Sequence, residues 1–279
     1  MPIRLICFFL ILPLLYSCLP SKSGKENRVY TVNVNNDTNS VADSRDNFSA
    51  KIAAAALNAA LPDSMTEAIL AKRQVFTADL LTCLEGDPHL RELVDKHHSL
   101  PQDYVPSDLV SLTEGSVYRL NRTGMSLRIA AYNSLGEMAS ASRADGVILV
   151  AASAYRSYQY QEEVYNRIVQ QLGQEAADRE SAKPWHSQHQ TGLALDFGPI
   201  DDSFAQTAAG GWVLKNASRF GWSISFPNGY EALTGYRWES WHYRYVGREL
   251  AAFIDNYFNG IQQYALQFLH EWDLLQKNN

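Results

Sequence analysis

Two short stretches hold most of the residues in this chain whose types and spacing could do chemistry. Ser187 to Phe197 (SQHQTGLALDF) contains Ser187, His189 and Asp196, and Trp238 to Gly247 (WESWHYRYVG) contains Glu239 and His242. A catalytic zinc ion takes about three N or O ligands from the protein and leaves one position for water. His189, Asp196 and His242 meet that requirement for one Zn2+ ion, and Glu239, in the same segment as His242, is a general base by type and position. Each residue also has a plainer role: a His beside Trp packs with one hydrogen bond, and Asp196 caps a turn or pairs with Arg237 or Arg244. Jointly, two distant segments that supply ligands, a base and a nearby cation are harder to explain by packing.

The helical HExxH pattern of many zinc peptidases is absent, so strands and turns must position these groups. In Thr191 to Phe197, Leu193, Leu195 and Phe197 alternate with Gly192, Ala194 and Asp196, which aims Asp196 away from the apolar face of a strand. Around Glu239 the aromatic run reads as strand or loop, where positions i and i+3 diverge, and a bend at Ser240 and Trp241 is predicted to turn both Glu239 and His242 inward. Upstream, Val147 to Ala152 suits a short buried strand. A helix follows with Gln161, Tyr165, Ile168 and Leu172 on one face and Gly173 as its cap. Arg156 falls at this strand-to-helix junction, where side chains commonly point into a cleft.

Elsewhere the periodicity predicts a helix over Ser126 to Ser142, a helix over Trp212 to Phe220 ended by Gly221, and a strand over Trp222 to Phe226. Two helices broken near Asn259 and Gly260 fill Arg248 to Gln276. The predicted class is α+β: a small, mainly antiparallel sheet carrying the zinc site, surrounded by helices, with accessory helices at both ends.

The 279 residues, 46% hydrophobic and 19% charged, suit one domain plus extensions. A net charge of -6 without a Lys/Arg cluster excludes a nucleic-acid partner. Residues 1–18 read as a signal peptide: Arg4 precedes an apolar run from Leu5 to Leu15 that is too short for a bilayer of ~30 Å. Leu15-Tyr16-Ser17-Cys18 resembles a bacterial lipobox, which predicts export to the cell envelope and acylation of Cys18 as a membrane anchor; the alternative is an ordinary cleaved secretory signal. Residues 19–48 form an expected flexible tether, since Lys22 to Phe48 is rich in Asn, Asp, Ser and Lys. Residues 49–86 are expected to be accessory helices, and 87–279 the catalytic domain, opening on a segment expected to run extended along a surface from His89 to Leu112. His97 and His98 lack a partner spacing for metal, and Cys83, among leucines, reads as a buried thiol outside any disulfide framework.

Four motifs in order, LVDKHHSLPQDYVPSDLV, AYRSYQYQ, SQHQTGLALDFG and WESWHYRYVG, give the chain from about Leu93 onward a further meaning. Together they resemble the VanY-type D-alanyl-D-alanine carboxypeptidases and their L,D-carboxypeptidase relatives, zinc peptidases that trim peptidoglycan stem peptides. The resemblance implies His189, Asp196 and His242 as zinc ligands and Glu239 as the base that takes a proton from water and passes it to the leaving amine. It implies that Arg156 meets the scissile carbonyl or terminal carboxylate, with Gln161 and Ser187 as further substrate contacts. The chain departs from the family pattern at Gln188, where the family often has Glu, and at Trp185-His186, where a Pro-Gly commonly precedes the motif; neither is expected to touch a ligand or the base, and His186 ranks below His189. The expected function is removal of a terminal D-alanine from stem peptides, D,D or L,D. The competing readings are an endopeptidase that cuts cross-links, for which a closed cleft beyond Arg156 would be the counter-sign, and a non-catalytic wall-binding lipoprotein.

Overall fold

The computed structural model of the chain describes residues 37–115 and 117–277. The motif around Cys18 and most of the expected tether lie outside the described residues. Met1–Ala42 and Asp43–Asn279 separate into two units, and of the first only the opening of a helix is described. That helix, α1 (Asp37–Asn58), begins inside the stretch expected to be tether. Phe48, near the end of that stretch, packs 5.0 Å from Trp272 and so is held as part of the fold.

Ile52, Ala55 and Ala56 recur at helical spacing on the buried face of α1, and Ala59, just past its end, continues that face. The chain then turns through Ala60 and Leu61 at Pro62 into α2 (Asp63–Ala71) and α3 (Arg73–Glu85), which Gly86 ends. These three helices share one apolar cluster with the last two, α9 (Arg248–Tyr257) and α10 (Gln262–Lys277). Phe76 shows how tightly the ends of the chain meet: its ring centroid lies 5.1 Å from Phe253, 4.8 Å from Tyr257 and 5.5 Å from Phe268. The boundary expected at residue 86 is therefore no structural break, because the helices on its N-terminal side bury their apolar faces against the C-terminal ones.

After a 3-10 turn at Pro88–Arg91, the segment to residue 112 is not laid on the surface as expected. Leu93, Val94, Asp95 and Leu100 are buried. Its end forms β1 (Leu109–Ser111), which pairs antiparallel with β3 (Ser126–Arg128); β2 (Tyr118–Leu120) lies between them in sequence. Helix α4 (Ile129–Ala144) thus starts later than Ser126, since Leu127 reaches the core from a strand and Arg128 stays extended to pair with Asp108 and Asp87.

A five-stranded sheet carries the rest. Its order is β2, β4 (Leu149–Ser153), β5 (Ala194–Phe197), β7 (His242–Tyr245), β6 (Trp222–Ile224), with β2 parallel to β4 and every other pair antiparallel. This is the α+β class that the patterning predicts. Between β4 and β5 lie α5 (Tyr158–Leu172), capped at Gly173 as expected, and α6 (Gln174–Glu180). Then come α7 (Ala208–Asn216), a short α8 (Glu231–Thr234), α9 (Arg248–Tyr257) and α10 (Gln262–Lys277). One face of the sheet packs on α4 and α7 through Leu193, Leu195, Phe197, Tyr243 and Trp222, in a second apolar cluster. Its other face carries the groups that lie opposite those apolar ones on each strand.

Candidate active site

Register builds the centre of this face. Asp196 on β5 is the direct cross-strand partner of His242 on β7, and Ser153 at the end of β4 lies opposite Asp196 on the other side. Cross-strand partners hold their Cβ atoms about 5 Å apart, close enough for a short acid and an imidazole to meet. His189 arrives from the 3-10 turn Gln188–Thr191, which Ser187 starts by accepting from the His189 N–H at 3.3 Å. Gly192 ends the turn at φ +71, where a Cβ would press on Arg128 and Leu109 at 3.0 Å, so glycine is what lets the chain swing from turn into β5. Glu239 reaches the same place through the predicted bend: the His242 N–H donates to the Glu239 carbonyl at 3.3 Å across Ser240 and Trp241.

The result is a tight group of donors. His189 Nε2 lies 3.2 Å from Asp196 Oδ2, and His242 Nδ1 lies 3.1 Å from Asp196 Oδ1 and 3.3 Å from Glu239 Oε2. One donor atom from each of His189, Asp196 and His242 falls within 4.8 Å of the others, the one such metal-capable group among the described residues. Donors around a tetrahedral zinc sit roughly 3.3 Å apart, so the spacing suits that ion. Asp196 Oδ1, moreover, is buried and has no hydrogen-bond partner, which in a folded protein calls for a ligand.

Each imidazole is fixed by the partner of its other nitrogen. The His189 Nδ1–H donates to the Ala154 carbonyl at 2.8 Å, leaving Nε2 unprotonated and turned toward Asp196 and Arg156. His242 is held the other way round, with Nε2 3.3 Å from Gln188 Oε1, an oxygen that also accepts from the Ser225 hydroxyl at 2.7 Å. An amide oxygen only accepts, so His242 Nε2 carries the proton and Nδ1 faces the site. Gln188 is tied on through Gln262, whose own amide donates to the Ser223 carbonyl. The expectation that Gln188 touches no ligand is therefore corrected: the turn Gln188–Thr191 curls its side chain back over β7, onto His242.

Electrostatics separates the roles. Burial and the nearby Arg156 charge push His189 down to about 4, so it stays neutral. Burial also opposes charge on His242, but Asp196 and Glu239 outweigh it and raise His242 to about 9, so a metal cation bound at Nδ1 takes the place of a proton there. Asp196 stays ionised despite burial because the two imidazoles hold its carboxyl well below the ordinary range. Desolvation raises Glu239 above the ordinary carboxylate value, with His242 pulling the other way, and a carboxylate raised by burial is a stronger base.

Arg156 enters from the β4–α5 junction as expected. Its Nη2 lies 3.0 Å from Asp196 Oδ2 and 3.1 Å from His189 Nε2, Nη1 donates to Gln161 Oε1 at 3.1 Å, and Nε donates to Ser153 Oγ at 3.2 Å. Asp196 thus pairs with Arg156; Arg244 instead donates to the Glu92 carbonyl at 2.8 Å, and Arg237 pairs with Glu180 and Asp202. A cleft of about 280 Å³ runs over the group, lined by Arg156, Ser187, His189, Asp196, Glu239 and His242 among others, with His186 also on its wall. Gln161 does not line it. That side chain is fully buried and donates to Ala182 at 2.7 Å, so its expected substrate contact becomes support of Arg156 from behind. His186 bonds the Asp95 carbonyl at 2.7 Å, and His98 bonds the Asp95 carboxylate at 2.8 Å, both away from the metal-capable group. Cys83 is free and buried, as its leucine-rich setting predicts.

Comparison with known proteins agrees with this geometry. Residues 124–248, which include every residue of the group, match the family model for VanY, D-alanyl-D-alanine carboxypeptidase. YodJ of Bacillus subtilis (strain 168) is 34% identical over 184 residues, covering 64% of this chain and 67% of YodJ. Among solved structures, the LdcB LD-carboxypeptidase aligns with a TM-score of 0.55 at 35% identity, over 61% of this chain and 85% of that one. A vancomycin-resistance D,D-pentapeptidase VanY in complex with Zn(II) aligns with a TM-score of 0.52 at 31% identity, over 63% and 98%. The chain belongs to the VanY family of D-alanyl-D-alanine carboxypeptidases.

Proposed function

We infer that this protein is a zinc-dependent peptidoglycan carboxypeptidase that hydrolyses the terminal D-alanine from stem peptides. The observation that carries the reading is the convergence of His189 Nε2, His242 Nδ1 and the unpartnered Asp196 Oδ1, with Glu239 beside them and Arg156 above. When held by these three residues, zinc supplies Lewis acidity that eases deprotonation of water and polarises a carbonyl. Glu239 takes the proton from the attacking water and returns it to the leaving amine. Arg156 holds the C-terminal carboxylate of the peptide, for which a guanidinium braced on two sides is a preorganised partner.

The support behind Arg156 also favours terminal over internal cleavage. Gln161, which accepts from the guanidinium, itself donates to the Ser181 hydroxyl and the Ala182 carbonyl, so Arg156 is held in place to meet a terminal carboxylate. Incubation of purified protein with defined tetra- and pentapeptide muropeptides, followed by mass analysis, tests the reading. Loss of one alanine only with metal present is expected, and cleavage of cross-linked dimers alone would overturn it in favour of an endopeptidase.

The domain plan and location belong to the same proposal. Residues 1–18 direct export to the envelope of a bacterium, Cys18 carries the lipid that anchors the protein to a membrane, and a linker ahead of the folded part lets the cleft reach stem peptides beside it. The support is the sequence of that segment.

A further inference from the structure

Beside the catalytic cleft lies a second cavity of about 240 Å³, joined to it by walls in common: Ser181, His186 and Tyr236 line both. Its other walls are Lys96, His97, Asp178 and Lys183. The stem of Lys96 runs across Gly235, at the spot where a Cβ would stand, and its ammonium sits 4.3 Å from the centre of the Tyr236 ring. That ammonium donates to the main-chain oxygen of Asp178 and feels the Asp178 and Glu231 carboxylates, though neither forms a direct ion pair with it. Asp178 has its own partners: Oδ1 accepts from the Tyr165 hydroxyl at 2.6 Å and faces Lys183 at 3.7 Å. Two ammonium groups and two imidazoles thus surround a space whose one carboxylate is already engaged. A half-buried ammonium held by a neutral carbonyl and a ring face keeps donor capacity for an anion.

Arg156 takes the terminal carboxylate, and the cavity shares Ser181, His186 and Tyr236 with the cleft, so any further carboxylate that a bound stem peptide brings to it comes from upstream of the scissile bond. We propose that this cavity binds a carboxylate carried by the stem peptide on the N-terminal side of the cleaved bond. The proposal rests on the carboxypeptidase reading. Stem peptides offer two such groups: the α-carboxylate of a γ-linked glutamate at the second position, and the side-chain carboxylate of a diaminopimelate at the third. Either would be held by charge-assisted hydrogen bonds from Lys96 and Lys183.

Matched synthetic peptides separate the two sources. One pair differs only in a free or amidated second-position carboxylate, and the other has diaminopimelate or lysine at the third position. With zinc-loaded wild-type protein, kcat/KM is expected to fall about tenfold for one pair when the carboxylate is removed, through KM rather than kcat. The Lys96→Met/Lys183→Met double variant, in which Met keeps the packing over Gly235, is expected to lose that discrimination while cleaving the uncharged member as well as wild type does. Lys96→Arg in an otherwise wild-type chain is expected to retain it. Equal rates on both members of both pairs, or an equal loss on charged and uncharged peptides in the double variant, would overturn the proposal. Should no peptide release alanine, the carboxypeptidase reading fails, and titration of the same peptides by calorimetry decides the cavity alone: carboxylate preference lost in the double variant supports it, and equal binding of acid and amide refutes it.

Discussion

His189 and His242 are chemically identical side chains that present different nitrogens to one point, because Ala154 claims Nδ1 of the first and Gln188 claims Nε2 of the second. This makes Gln188 a positioning residue. Its change to Leu removes the acceptor and is expected to weaken zinc affinity by about 10- to 100-fold, read by competition with a chromogenic chelator, whereas Gln188→Glu keeps an acceptor and is expected to bind zinc nearly as tightly. Unchanged affinity in the Leu variant would remove Gln188 from this role. Glu239 is the opposite case. Glu239→Gln is expected to keep full zinc content by elemental analysis yet lose about 10³-fold in kcat, within the range for removal of a general base. At this scale the sequence was legible where a short-range rule applied: strand alternation set the side of Asp196, and the aromatic run around Glu239 required a bend. Gln188 was misread because its contact depends on a 3-10 turn and on Ser225 and Gln262, two partners far along the chain that no spacing rule connects.

Among the elements, β5 and β7 matter most, since a shift of their register by one residue would turn Asp196 or His242 into the apolar layer. The loop after the first 3-10 turn is the less obvious support. Asp95 in that loop is buried and accepts from the His97 and His98 main-chain N–H groups at 2.8 and 2.9 Å and from Gln263 of α10 at 2.7 Å, while its carbonyl holds His186. Burial alone would raise its carboxyl, but these bonds win and hold it below its ordinary 3.8. The folded state therefore binds fewer protons at Asp95 than the unfolded state does. The resulting stability is full above the ordinary Asp range and is lost as pH falls through the depressed value. Denaturant titrations at pH 6 and pH 3 are expected to show a smaller loss for Asp95→Asn than for wild type, and equal slopes would contradict this account. Helix and strand identities were mostly readable from periodicity, and their ends were not: Leu127 fits a helical repeat equally well as a strand residue, and only its pairing with Val110 decides.

For the whole molecule, the helices at the two ends of the chain form a single layer, which composition alone did not reveal because each helix shows its apolar face but not its partner. Phe76→Ala is expected to cost about 3–5 kcal/mol by opening a cavity in that layer, measured by chemical denaturation. Cys18→Ala is expected to move the protein from the membrane to the soluble fraction of cells, and unchanged fractionation would count against the proposed anchor. The layer and the metal-capable group are also linked. Gln262, at the first turn of α10, is hydrogen-bonded to Gln188, which holds His242, yet α10 lies wholly beyond residue 248, where the family match ends. A chain cut back to the matched segment would keep every proposed ligand and still lose the brace on one of them, along with nearly all of α9 and the helices that pack on it. The smallest autonomous enzyme is therefore larger than its recognisable motif, and whoever trims it for crystallography or transplants it into another scaffold should carry the last helix along.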